Sequence, residues 1–170
     1  MIKDIIKSAV QFIVLLLCQV LILNNVYFLG YINPMLYVWF IIMLPFATPK
    51  WLVLVASFLM GVCVDVLGND VGVHAAVCVL IAFIRPALLN VSSNNIDKTS
   101  LAQPSVASMG FKNFLLFIAL SVAIHHLLYF VVEIFSFGEI LQILLRTLLS
   151  SVVTIALILL FDMLFFKKKE

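Results

Sequence analysis

Charge is what this chain has least of. Lys, Arg, Asp and Glu make up 11% of its 170 residues, while hydrophobic residues make up 65%. A water-soluble domain of this size could not cover so much apolar surface, so that class is excluded. Cysteine is sparse as well. Cys18, Cys63 and Cys78 lie inside apolar runs without C-x-x-C spacing. Their odd number leaves no complete disulfide framework, and they read as small packing residues rather than metal or redox ligands. Catalytic signatures are missing too: there is no H-E-x-x-H, no Gly-rich phosphate loop with its Lys, and no G-x-S-x-G elbow. No repeat, low-complexity tract or heptad pattern stands out. The expectation is a single transmembrane domain over residues 1–170 that is not an enzyme and carries no cofactor or metal.

Apolar runs occupy residues 5–23, 35–47, 51–67, 73–89, 114–135 and 140–166. A membrane-crossing helix needs about 20 residues, and most of these runs reach or approach that length. The second run is short, with Pro34 before it, Pro45 inside it and Pro49 after it. Merging it with the third would give five crossings, but the lysines argue for six. Lys3 and Lys7 precede the first run, and Lys167, Lys168 and Lys169 follow the last. Basic flanks mark the cytoplasmic side, so both termini belong inside and the number of crossings is even. Lys50, Lys98 and Lys112 then fall inside too, and Arg85 lies near the inner end of the fourth span. Asp65, Asp70, Glu133 and Glu139 gather at the outer side with Arg146.

The fold class expected is therefore all-α, a polytopic membrane protein built as a six-helix transmembrane bundle. The first run imitates a secretory signal but lacks a small-x-small cleavage site, so it reads as an uncleaved span. Tyr27, Phe28 and Tyr31 after it read as interfacial aromatics. Residues 91–112, rich in Ser and Asn, read as a mobile cytoplasmic loop.

Half of the six glycines in this chain stand within residues 61–74, beside Asp65, Asp70 and His74. Polar groups at membrane depth are costly, so they face other helices or a wet cavity. Gly61 and Asp65 are spaced i, i+4, which puts a close-approach position on the face carrying the carboxylate. Gly68 and Gly72 bracket a short turn through Asn69 and Asp70, where positive φ is tolerated. Asp65 and His74 can then meet across the turn, as a hydrogen bond capping the hairpin, as a surface for a partner or, least favoured, as part of a ligand or metal site. Further along, His126, Tyr129 and Glu133 form a polar stripe aimed at a neighbouring helix or a partner. His125 and His126 diverge by about 100° and cannot easily share a metal. Glu133 and Arg146 lie at comparable depth on consecutive antiparallel spans and form a candidate ion pair; Glu139 is the other candidate partner for Arg146.

The pattern Gly61, Asp65, Gly68, Gly72, His74 and Ala75, followed by an apolar helix with a basic residue at Arg85, resembles the rod shape-determining MreD family. The motif covers residues 61–85, and the short length and lack of soluble domains agree with it. The short, proline-flanked second span and the length of residues 91–112 depart from the family pattern. The resemblance implies a non-enzymatic component of the bacterial cell-elongation machinery in the inner membrane. Its implied partners are membrane lipid, the bitopic protein MreC and, through it, MreB, RodA and a penicillin-binding transpeptidase; no nucleic acid is expected. That family is also similar to the substrate-binding subunits of energy-coupling-factor vitamin transporters, which are six-helix bundles. Two functions follow: a scaffold whose faces bind partner helices, or a subunit that closes over a small solute at its outer end.

Overall fold

A computed structural model describes residues 2–25, 32–93, 97 and 100–165. Helix α1 (Ile2–Leu17) continues through a π turn (Cys18–Ile22) and a 3-10 turn (Leu23–Asn25). It is followed by α2 (Val38–Met43), α3 (Lys50–Gly68), α4 (Val73–Ser92), α5 (Val106–Met109), α6 (Phe111–Ile134) and α7 (Ile140–Phe165). The protein is all-helical among the described residues. Five stretches are long and apolar enough to cross a membrane: Ile6–Asn25, Lys50–Gly68, Val73–Ser92, Phe111–Ile134 and Ile140–Leu164. Their outward faces carry large exposed apolar side chains, among them Phe58, Leu80, Phe83, Leu141, Leu148 and Val152. Acyl chains solvate such faces, so association within the bundle rests on close packing and interhelical hydrogen bonds.

The run at 35–47, expected as a short second span, is helical over only part of its length. Its only helical part, α2, has six residues and spans about 9 Å. Every residue from 35 to 44 is buried, none more than 6% exposed. An apolar segment reads the same whether lipid or protein surrounds it. Here protein surrounds it. Side chains supply the hydrogen bonds that a longer helix would have made internally. Asn33 N–H donates to Ser150 Oγ at 3.0 Å, and Met35 N–H donates to Thr154 Oγ1 at 3.2 Å. Gln19 accepts from Leu36 N–H at 2.8 Å and donates to the Pro34 carbonyl at 3.1 Å.

Beyond α2 the backbone meets the connection that follows α4: Phe46 N–H donates to the Ala102 carbonyl and Ala47 N–H to that of Ser100. The segment thus enters beside the α3–α4 turn, where Tyr37 touches His74, and leaves past Arg85. It threads the bundle from the hairpin end to the end bearing the α4–α6 connection. Gln103 Nε2 donates to Gln11 of α1, and Val106 N–H donates to Asp162 of α7. The start of α1 and the finish of α7 therefore lie toward that second end.

Within residues 91–112, expected as a mobile loop, part of the described chain is helical. Helix α4 runs to Ser92, and Ser105 and Ser108 form a capping box on α5 that positions buried Met109. The expected capping signature has Glu or Gln at the third helical position, and Ser108 fills that role here. Lys98, Lys167, Lys168, Lys169, Tyr27, Phe28 and Tyr31 lie outside the described residues, as does the side chain of Lys3.

Candidate functional site

The hairpin end is built by α3 and α4. Helix α3 stops where Asn69 turns left-handed, at φ 60°, and α4 starts after Gly72, at φ 89°. Asn and Gly are the residues that enter this region at least cost. Gly68 differs from its expected role: its φ is not positive, and its value is space. A Cβ there would come within 3.0 Å of Asp70 Oδ2.

Gly61 carries the tightest contact in the hairpin. A Cβ on it would stand 2.4 Å from Ala75 Cα and 2.7 Å from the His74 carbonyl oxygen. The first turn of α4 therefore rests directly on α3 backbone. One turn further along α3, the buried Asp65 carboxylate accepts from His74 N–H at 3.1 Å and from Ala75 N–H at 2.8 Å. Those amides have no partner inside their own helix, and a carboxylate satisfies them while complementing the helix dipole. The expected carboxylate–imidazole contact between Asp65 and His74 is thus replaced by carboxylate-to-backbone bonds.

The His74 imidazole takes a different acid. Its Nε2 lies 3.3 Å from Asp70 Oδ2, and its Nδ1 lies 2.7 Å from the Tyr37 hydroxyl. Tyr37 also sits 3.0 Å from His125 Nε2. An ionised Asp70 can only accept, which assigns the Nε2 proton to a neutral His74. Tyr37 O–H then donates to His74 Nδ1 and accepts from His125 Nε2–H. That leaves His125 Nδ1 as a bare acceptor, and it has no partner in the core. A relay of directed hydrogen bonds runs from buried His125 through buried Tyr37 and His74 to the exposed Asp70.

His126 belongs to a second set: its Nδ1 donates to the Val122 carbonyl at 2.9 Å, and its Nε2 lies 3.3 Å from Thr154 Oγ1 on α7. Tyr129 stacks on His74 with ring centroids 4.7 Å apart. The stripe of His126, Tyr129 and Glu133 therefore faces α7, α4 and α7 in turn. Tyr37 was not legible as part of this site, because it sits in an uninterrupted apolar run. Its one signal is chemical: a buried tyrosine hydroxyl needs a partner.

Above the relay lies a polar cavity of about 280 Å³, lined by Asn24, Asn33, Asp70, His74, Glu133 and Arg146 among others. Glu133 Oε2 and Arg146 Nη1 approach to 3.9 Å at its rim, with 40% and 25% of their side chains exposed. The pair exists, but as a half-wet contact rather than a buried one. With the Gln142 amide turned to suit both neighbours, its nitrogen donates to Glu139 Oε2 at 3.0 Å and its oxygen accepts from Arg146 Nη2 at 3.2 Å. Both acids considered for Arg146 are engaged, Glu133 directly and Glu139 through Gln142.

Ligand atoms of Asp65, Asp70 and His74 lie within 4.8 Å of one another, close enough for one cation. Backbone amides already occupy both Asp65 oxygens, and Tyr37 occupies His74 Nδ1, so hydrogen bonds among these groups account for the cluster.

Arg85 stands apart, eleven residues or about 16 Å along α4 from His74. It is buried, and its Nη2 donates to the carbonyls of Ile42 and Leu44 where α2 ends. The motif residues thus divide: Gly61, Asp65, Gly68, Gly72 and His74 build the hairpin, while Arg85 caps the threaded segment at the other end.

No family model matches this sequence, and comparisons with curated proteins and with solved structures find no match.

Proposed function

We propose that this chain is a non-enzymatic, MreD-like component of the cell-elongation machinery in the bacterial inner membrane. In this reading it crosses the membrane six times, the threaded segment 32–49 completing the even count. Lys50 and Lys112 lie toward the end where α1 starts and α7 finishes, which supports placing that end in the cytoplasm. The hairpin end is then outside. The six-helix likeness to energy-coupling-factor substrate-binding subunits belongs to the same proposal.

The observation that carries the scaffold reading is the use made of Gly61 and Asp65. Contact with the first turn of α4 consumes both, so the motif fixes the shape of a helical hairpin rather than exposing reactive groups. A rigid hairpin between lipid-facing α3 and α4 suits docking of a transmembrane partner of the MreC type, which would link it to MreB, RodA and a penicillin-binding transpeptidase.

The polar cavity favours the second reading, a vitamin-type solute subunit. Its 280 Å³ falls just below the roughly 300–1,000 Å³ of ordinary small-molecule sites, which weighs toward the scaffold. Affinity capture of an MreC-like partner, run in parallel with calorimetry against small vitamins, separates the two. Asp65→Asn should weaken partner capture, and His74→Ala should weaken it less. Unchanged capture together with solute binding that is lost in these variants would replace the scaffold with the transporter.

A further inference from the structure

The end of the bundle opposite the hairpin holds a buried cation, Arg85, that pairs with no carboxylate among the described residues; Asp162, the buried acid at this end, accepts instead from Val106 N–H. Arg85 is 4% exposed, and its hydrogen bonds among the described residues go to the Ile42 and Leu44 carbonyls. Its Nε has no partner. A guanidinium carries five N–H donors, and two carbonyls leave both donors and charge uncompensated.

Arg85 lines a cavity of about 440 Å³ between the 46–49 stretch and the adjoining ends of α3 and α4. Thr48, Lys50 and Asn90 also line it, while Phe46 and Leu89 supply apolar wall. Lys50 and Asn90 are exposed, and Lys50 opens helix α3, whose N-terminus has no side-chain cap. Neither Lys50 nor Arg85 makes an ion pair among the described residues. Two cations and an open helix N-terminus therefore converge on one half-apolar space.

We propose that this cavity binds the phosphate of an anionic phospholipid, with Arg85 as the buried fork, and Lys50 and the first turn of α3 at its mouth. Phosphate matches the planar guanidinium and the helix N-terminus alike. The apolar wall and the location beside the end of membrane-spanning helices favour a lipid headgroup over a soluble anion. Basic pockets between transmembrane helices are a recurring form of such recognition.

The purified full chain in neutral detergent is titrated with dioctanoylphosphatidylglycerol, dioctanoylphosphatidylcholine and inorganic phosphate. Binding is followed by native mass spectrometry and by melting temperature. The glycerol lipid should bind about tenfold tighter than the choline lipid. Lys50→Gln and Asn90→Glu, both at exposed positions, should each weaken it about fivefold, with the lipid-free melting temperature unchanged. Arg85→Lys should lose more, and the rim variants keep the test valid if it folds poorly. Competition by inorganic phosphate supports the shared anion chemistry. Phosphate binding without preference for the glycerol lipid over the choline lipid would overturn the lipid assignment. Equal binding of both lipids without phosphate binding, or rim variants that change nothing, would overturn the site.

Discussion

Two neighbouring parts of this bundle solve opposite problems. The α3–α4 hairpin brings two lipid-facing helices together through a bare glycine surface and a carboxylate cap. The 35–44 segment has no lipid-facing side, and borrowed side-chain hydrogen bonds from the π turn after α1, from α4 and from α7 hold its backbone. In the hairpin the special residues lie within the segment that they shape. In the threaded segment they lie elsewhere in the chain, at Gln19, Arg85, Ser150 and Thr154. The first kind of construction can be read locally, and the second cannot.

If the hairpin rests on backbone contact, Gly61→Ala should be the most damaging small substitution in the protein. Its Cβ would meet the Ala75 backbone at 2.4 Å, and the helices would have to part, at a cost of about 3 kcal/mol or more. Gly72→Ala is the contrast, since open space surrounds Gly72 and only its positive φ resists; about 1–2 kcal/mol is expected. Thermal unfolding in detergent checks the order, and equal losses would separate Gly61 from the close-approach account.

Asp65→Ala should follow, at about 2 kcal/mol for two lost bonds to a helix N-terminus. Asp65→Asn should cost less, because its amide oxygen still accepts one amide. If the two variants unfold together, the carboxylate is not acting as a cap.

The threaded segment is probed by Tyr37→Phe, which removes the one group joining His74 to His125. A loss of about 1–2 kcal/mol in the same assay is expected for its two hydrogen bonds, at roughly 0.6–1 kcal/mol each between membrane helices. A neutral result would mean that packing alone fixes the segment.

The smallest effect belongs to Glu133 and Arg146. A buried pair would couple by several kcal/mol, but 3.9 Å and substantial exposure reduce the expected coupling to under about 1 kcal/mol. A double-mutant cycle with Glu133→Gln and Arg146→Gln measures it directly.

These differences also explain what could be read from the residues alone. Gly61, Asp65, Gly72 and His74 stood out because each breaks an apolar run, and the hairpin appeared where they placed it. The partner of Asp65 did not: side-chain identities suggest a basic residue, whereas the carboxylate found backbone amides that every residue carries. Glu133 and Arg146 were recognisable as a pair by charge and register, but their wetness depends on the cavity beside them. The 35–44 segment was hardest, since burial in protein and burial in lipid select the same side chains. Its three flanking prolines hinted only that it would not be one long helix.

A segment with only six helical residues carries the chain from one end of the bundle to the other. Single cysteines at Asn25 and Lys50, introduced after replacing Cys18, Cys63 and Cys78, flank that segment. Labelled in oriented vesicles with a membrane-impermeant reagent, position 25 should react from the same side as a cysteine at Asn69. Position 50 should react from the opposite side, together with Ser100. Labelling of positions 25 and 50 from one face would contradict the threaded crossing and reduce the bundle to five.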